Sequence, residues 1–162
     1  MSMFENHQFR WRETYFVLFD SARRPTLQRL QQKLAGLNKR FAFINPNADE
    51  DGAFESLTVL APDDFAALDI SYLDGEEVVE QAGTLAEELS GPECRPEERA
   101  KLDRIRRFDG RFDVLHFEQV SGFDQEVEED EMMDPGALLT VLDALVALTD
   151  GIAVDPQAGA ML

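Results

Sequence analysis

The stretch at residues 111–120, which reads R-F-D-V-L-H-F-E-Q-V, constrains the fold of this chain more than any other. In an extended chain, successive side chains point to opposite sides. Phe112 and Val114 therefore fall on one side, and Leu115 and Phe117 on the other. This pattern predicts a central strand that is covered on both faces. An arginine-rich run precedes the strand and a run rich in Glu and Asp follows it, so the charge of the chain inverts across it.

Further strands and helices are predicted on either side of this strand. Apolar runs and alternation predict strands at residues 15–19, 41–44, 54–60, 68–73 and 152–154. Apolar residues at spacings of three and four, together with Pro and Gly at the ends, predict helices at residues 25–37, 76–89, 96–108 and 136–149. The first strand, helix and strand predict a right-handed crossover between parallel neighbours. The acidic turn after residue 44 predicts a hairpin, and the strict alternation at residues 68–73 favours an edge strand.

These elements predict an α+β fold, a two-layer sandwich with a ferredoxin-like mixed sheet, helices packed on it and an additional C-terminal helix. A chain of 162 residues has the length of one domain. We expect a single domain over residues 1–162, with a flexible N-terminus at residues 1–13 and a mobile acidic loop at residues 121–134. The helix at residues 136–149 is apolar almost all round, so it is either deeply buried or the contact of a homo-oligomer.

The composition excludes several classes of function. A net charge of -18 argues against binding to nucleic acid or to an anionic membrane surface, since both require clustered positive charge. No apolar run approaches the ~20 residues of a membrane span, and the first residues lack the apolar segment of a secretory signal. The lone Cys94 rules out an internal disulfide and a cysteine-cluster zinc site. We expect a cytoplasmic protein without a cofactor.

The segment at residues 47–55 partly resembles a calcium-binding loop. Asn47, Asp49, Asp51 and Glu55 offer oxygen ligands, and a glycine follows Asp51, as in the first half of an EF-hand loop. The twelfth position is Thr58 instead of glutamate, and the flanking segments are predicted strands. A weak metal site and a solvated hairpin turn are the two interpretations, and the pattern favours the turn.

His116 is the one histidine within the predicted fold, and an imidazole is a common acid, base or metal ligand. Asp113 and Glu118 are close in sequence, but Asp113 points to the opposite side of the strand. No second member of a catalytic triad or zinc set is evident, and no glycine-rich phosphate loop or nucleophile motif is present. A structural histidine is therefore favoured. Cys94, beside Arg95, is expected to be an inert thiol.

Two charge blocks flank the central strand. The basic block includes Arg104, Arg106 and Arg107, and the acidic block includes Glu126, Glu128, Glu129, Asp130 and Glu131. Each block can solvate its own surface, or the two can pair loosely at ~0 to 1 kcal/mol per exposed pair. The sharper hypothesis is a partner-binding face on which negative charge steers a basic protein.

The sequence therefore favours a non-catalytic protein-binding module, an adaptor, inhibitor or immunity-type protein that engages a basic partner. The rival hypothesis is a small metal-dependent protein or enzyme that uses residues 47–55, or His116 with nearby carboxylates.

Overall fold

The computed structural model describes residues 9–92, 94–119 and 136–162, which form a mixed α+β structure. The strands are β1 (Phe9–Phe19), β2 (Ala42–Ala48), β3 (Phe54–Ala61), β4 (Ala66–Asp74), β5 (Gly110–Gln119), β6 (Ile152–Asp155) and β7 (Ala160–Met161). The helices are α1 (Leu27–Ala35), α2 (Glu76–Leu89), α3 (Pro96–Ile105) and α4 (Gly136–Thr149). Each predicted helix and strand is therefore present. The predicted acidic loop at residues 121–134 lies outside the described residues.

All these strands form one antiparallel sheet in the order β2-β3-β4-β5-β1-β6-β7. β5 lies at its centre, as predicted, and pairs along its whole length with β1 on one side. On the other side it pairs with β4 from Gly110 to Glu118. Because β5 has a long partner on both sides, it organises the sheet.

Two predictions about strand neighbours are wrong. β1 and β2 run in the same direction but are not adjacent, because β5, β4 and β3 lie between them. The strand predicted at an edge, β4, is internal, between β3 and β5. The edge strands are β2 and β7, and in β2 Pro46 and a shift of register after Ile44 interrupt the hydrogen-bonding edge. The predicted hairpin between β2 and β3 is confirmed.

Helices lie on both faces of the sheet, so the two-layer, ferredoxin-like arrangement is not confirmed. α1 and α4 pack on the face that contains Val17 and Phe112, here called the α1/α4 face. α2 and α3 pack on the opposite α2/α3 face, against Leu18, Ile152 and Val154. Patterns within single segments show which positions are apolar, but the side of the sheet on which a helix packs depends on the path of its connections.

The core of the α1/α4 face is built around Phe112. Its ring centroid lies 4.7 Å from that of Phe19, 5.5 Å from that of Phe54 and 6.2 Å from that of Tyr72. These rings come from β5, β1, β3 and β4, so one aromatic cluster joins four strands. Such contacts add about 0.5–1.5 kcal/mol per pair to the burial of the rings.

Residues 9–13, which were predicted to be flexible, form the first half of β1. Arg10, Arg12 and Glu13 pair there with residues of β5 that are distant in sequence. Residues 1–8 lie outside the described residues. No helix in the described ranges is both long enough and apolar enough to cross a membrane.

The apolar C-terminal helix α4 is buried in its own chain, one of its two predicted alternatives. Most of its length packs on the sheet and on α1, and Thr149 at its end is also buried. Gly151 then permits the immediate turn into β6. A side chain there would place a Cβ atom 2.6 Å from the carbonyl oxygen of Leu18.

Leu138 and Leu139 are neighbours on α4 that test this packing. Leu138 is 1% exposed and Leu139 is 48% exposed. We expect Leu138→Ala to lower the free energy of unfolding by about 2–5 kcal/mol, because it leaves a cavity in the core. The matched control Leu139→Ala should change it by less than about 0.5 kcal/mol. Urea denaturation followed by circular dichroism measures both, and equal losses would contradict the described packing.

Candidate functional site

His116 is buried in the sheet and contacts a carboxylate that the sequence did not indicate. It lies on the α1/α4 face of β5 and is 2% exposed. Its Nδ1 atom is 3.1 Å from Oε1 of Glu13, the residue opposite in the β1–β5 register. Because 103 positions separate the two residues, no local pattern could have paired them. The contact orients the ring and ties β1 to β5.

The same carboxylate of Glu13 also accepts a hydrogen bond from Tyr15, at 3.3 Å. Burial of the phenol, followed by the negative charge of Glu13, raises the pKa of Tyr15 to about 12. The hydroxyl therefore stays protonated and remains a donor at neutral pH.

The carboxylates expected near His116 are bound elsewhere. Glu118 is buried and accepts hydrogen bonds from Arg10 and, at 3.5 Å, from Nη1 of Arg12. Asp113 lies on the opposite face of the sheet. His116 is therefore held beside Glu13 instead of the two carboxylates of the predicted constellation. A catalytic base must reach the proton that it abstracts, and this ring is enclosed in the core.

The turn at residues 47–55 is held by its own side chains. Oδ1 of Asp49 accepts the backbone N–H groups of Asp51 and Ala53, both at 2.9 Å, and Oδ2 is 3.4 Å from Nη1 of Arg24. Nδ2 of Asn47 donates to Oγ of Ser56 at 3.0 Å. Among the described residues, no group of three or more His, Cys, Asp or Glu side chains is placed to hold a metal ion. Hydrogen bonds to Asp49 thus hold this segment as a hairpin turn. The turn contains the predicted ligands Asn47, Asp49, Asp51 and Glu55.

The arginines of the basic block find local partners. Arg104 donates to the carbonyl oxygen of Asp150 at 2.6 Å, and Nη1 of Arg106 is 3.4 Å from Oδ1 of Asp103. Arg107 lies just after α3 and is exposed. The acidic block, with Glu126, Glu128, Glu129, Asp130 and Glu131, lies outside the described residues, so its contact with the basic block stays a prediction.

A groove of about 600 Å³ lies between α2 and β1 on the α2/α3 face. Its apolar lining includes Phe16 and Leu18 from β1 and Leu85 from α2. Glu80, Thr84 and Glu88 also line it, and their spacing of four residues places them in one row along the helix. The groove therefore combines an apolar surface with two carboxylates.

Arg111 closes one part of this groove without adding net charge. Its guanidinium lies 4.3 Å from the centre of the Phe16 ring, donates to Oδ1 of Asp113 at 2.6 Å and also donates to Gln81 of α2. Burial raises the pKa of Asp113 above its ordinary value, and the positive charge of Arg111 opposes that shift. The Arg111–Asp113 pair is thus internally balanced, and its bond to Gln81 fastens α2 to the sheet.

The outward face of α2 is acidic along its whole length. Its sequence contains no Lys or Arg, and its five glutamates are all exposed: Glu76, Glu77, Glu80, Glu87 and Glu88. None of them takes part in an ion pair among the described residues. Two of them lie in the last turn, where the helix dipole favours positive charge. Glu76 and Glu77 lie in the first turn, where the dipole favours negative charge, so the stability of the helix accounts for those two but not for Glu87 and Glu88.

The sequence contained the signal for this surface. A helix with five glutamates and no basic residue is visible in the sequence alone. In so acidic a chain, however, exposed glutamates are expected on any helix, and their presence alone does not indicate a binding surface. The groove beside the helix could not be seen, because it needs β1 and α2, which are far apart in the chain.

Asp109 fastens the start of β5 to the end of β1. Its two carboxylate oxygens accept the backbone N–H and the hydroxyl of Ser21, both at 2.8 Å. The backbone N–H of Ser21 is the main cause that lowers the pKa of Asp109 below its ordinary value, against the opposite effect of burial.

Comparison of this chain with protein-family models, with curated proteins and with solved structures finds no match. The function is therefore inferred from the geometry and charge of the chain itself.

Asp49 and Asp51 provide a matched test of the turn at residues 47–55. Asp49→Ala should lower the free energy of unfolding by about 1–2 kcal/mol, because it removes two hydrogen bonds within the turn. Asp51→Ala removes the same charge, and we expect a change within about 0.5 kcal/mol. Urea denaturation with calcium and with a chelator should give the same values. A calcium-dependent rise in stability that Asp49→Ala abolishes would restore the metal hypothesis.

Asp109 predicts a defined dependence of stability on pH. The pKa of the Asp109 carboxyl is lower in the folded protein than in the unfolded chain. The carboxylate therefore contributes its full stabilisation above the unfolded pKa of about 4, and this stabilisation is lost as the pH falls through the folded pKa. Asp109→Asn should cost about 0.5–1 kcal/mol at pH 7, discounted because the carboxylate is partly exposed. As the pH falls below that folded value, the variant and wild type should converge. Urea midpoints across this range measure the effect, with the exposed Asp143→Asn as control.

Proposed function

We propose that this protein is a non-catalytic, cytoplasmic binding module that engages a basic protein partner through its acidic surface. The observation that carries the proposal is the exposed face of α2, where five glutamates have no ion-pair partner among the described residues. Adaptor, inhibitor and immunity-type proteins all fit this description.

Electrostatics supports a protein partner. Clustered negative charge raises the rate at which a basic surface is encountered and disfavours acidic partners. The net charge of -18 extends this effect beyond the helix and repels nucleic acid and anionic lipid. Val79, which is 40% exposed on the same helix, adds an apolar contact. Charge therefore selects the partner, and the apolar surface near it contributes to affinity.

The predicted charge blocks add to this proposal. The run from Glu126 to Glu131 contributes further negative charge to the same chain. Arg104 and Arg106 form ion pairs with the carboxylates of Asp150 and Asp103, so they contribute little free positive charge to oppose it. We propose that the acidic run strengthens the attraction of a basic partner and that α2 provides the ordered contact surface.

The rival functions have less support. An enzyme that uses His116 lacks the predicted partners Asp113 and Glu118 beside the ring. A homo-oligomer formed through α4 is disfavoured because most of that helix packs on the sheet and on α1.

The test is capture of partners from lysate of the source cell at low and high salt. We expect wild type to retain a basic protein at low salt and to lose it at high salt, because exposed charges are screened. Glu80→Gln, Glu87→Gln and Glu88→Gln together should abolish the capture. The matched control combines Glu50→Gln, Asp51→Asn and Glu55→Gln, three exposed carboxylates around the β2–β3 turn, and should retain it.

Three results would reject the proposal: no salt-sensitive capture, capture only of acidic proteins, or the same loss in both triple variants. Urea denaturation of each variant confirms that the chain remains folded.

A further inference from the structure

The groove between α2 and β1 gives part of the acidic surface a defined spacing. Glu80 and Glu88 are eight residues apart on α2, which corresponds to about 12 Å along the helix axis. Thr84 lies between them in the same row, and the apolar lining from Leu18 and Leu85 is in the same groove. The two carboxylates are therefore separated by two helical turns along an apolar surface.

We propose that this groove binds an extended segment of the basic partner with the pattern basic, any, apolar, any, basic. The inference rests on the proposed function, and it specifies the chemistry of the segment that α2 recognises. In an extended chain, alternate side chains share one side, and residues four apart are about 13 Å apart. Two Arg or Lys side chains in this pattern match the separation of Glu80 and Glu88, and the apolar side chain between them faces Leu18 and Leu85.

The charges in the groove favour a cationic segment. Glu80 and Glu88 form no ion pair among the described residues, whereas Arg111 is already balanced by Asp113. Arg and Lys also have long apolar stems that can cover Phe16 and Leu18 while their charged ends reach the carboxylates. An acidic segment would be repelled by both glutamates, and a wholly apolar one would leave them without a partner.

The groove has a volume of about 600 Å³. Side chains from one extended segment can enter it without moving α2, which Arg111 fastens to the sheet through Gln81.

The experiment measures peptide binding to the full chain by fluorescence anisotropy at low ionic strength. The probe is a labelled peptide with the sequence Gly-Ser-Arg-Ser-Leu-Ser-Arg-Ser-Gly. One control peptide has the same composition with its two arginines adjacent, and another has glutamates in their place. We expect the spaced peptide to bind at least fivefold more tightly than the adjacent one, and the acidic peptide not to bind.

Variants of α2 test whether the groove is the site. Glu80→Gln combined with Glu88→Gln should weaken binding of the spaced peptide about tenfold. The matched control, Glu50→Gln combined with Glu55→Gln, removes two exposed charges around the β2–β3 turn that do not line the groove and should change it less than twofold. Thr84→Trp introduces a large side chain at an exposed position between the two carboxylates and should abolish binding. Urea denaturation checks that each variant is folded.

The outcomes separate this inference from the proposed function. Failure of the spaced peptide to bind, equal weakening by both double variants, or unchanged binding to Thr84→Trp would each overturn the groove inference. If Thr84→Trp still captures the salt-sensitive basic partner from lysate, the groove inference is wrong and the acidic-surface function stands. If wild type captures no such partner, the proposed function and the inference that rests on it both fail.

Discussion

The pairing of β5 with both β1 and β4 is the interaction on which the rest of this structure depends. It joins β5 to β1, about a hundred residues away in the chain, and to β4, which is nearer in the chain. Phe112 thereby contacts rings from β1, β3 and β4. Because both faces of β5 carry apolar groups, helices can cover the sheet on each side. The cost in chain entropy of these long-range contacts is offset by burial of the same aromatic cluster.

The alternation of β5 also separates the buried polar groups into two sets. His116 and Glu118 face α1 and α4, whereas Arg111 and Asp113 face α2. Each buried charge is bound by a partner from the neighbouring strand or from β5 itself, as burial of a charge requires. The polar groups of the interior therefore bind one another and hold the sheet together. Five exposed carboxylates without an ion-pair partner among the described residues lie together on α2, so the function is inferred from the surface and not from the core.

Local patterns predicted the helices and strands well because each depends on neighbours within a few residues. The spacing of Leu27, Leu30 and Leu34 indicated α1, and Thr26 caps its start as the sequence suggests. The errors concern choices between distant segments. β2 was the expected neighbour of β1, but the neighbours of β1 in the sheet are β5 and β6. His116 contacts Glu13 of β1 and not a carboxylate close to it in sequence. Both pairings depend on the register along whole strands.

The sequence by itself determined the mixed α+β composition, the central place of β5, the acidic hairpin turn and the strong negative charge. Each of these follows from side-chain periodicity, turn chemistry or a sum of charges, which need no knowledge of distant contacts. Only the tertiary structure decided the strand order, the placement of helices on both faces and the groove that joins Phe16 and Leu18 to Glu80 and Glu88. These features exist because the chain brings β1 beneath α2, and that contact depends on the packing of the whole sheet.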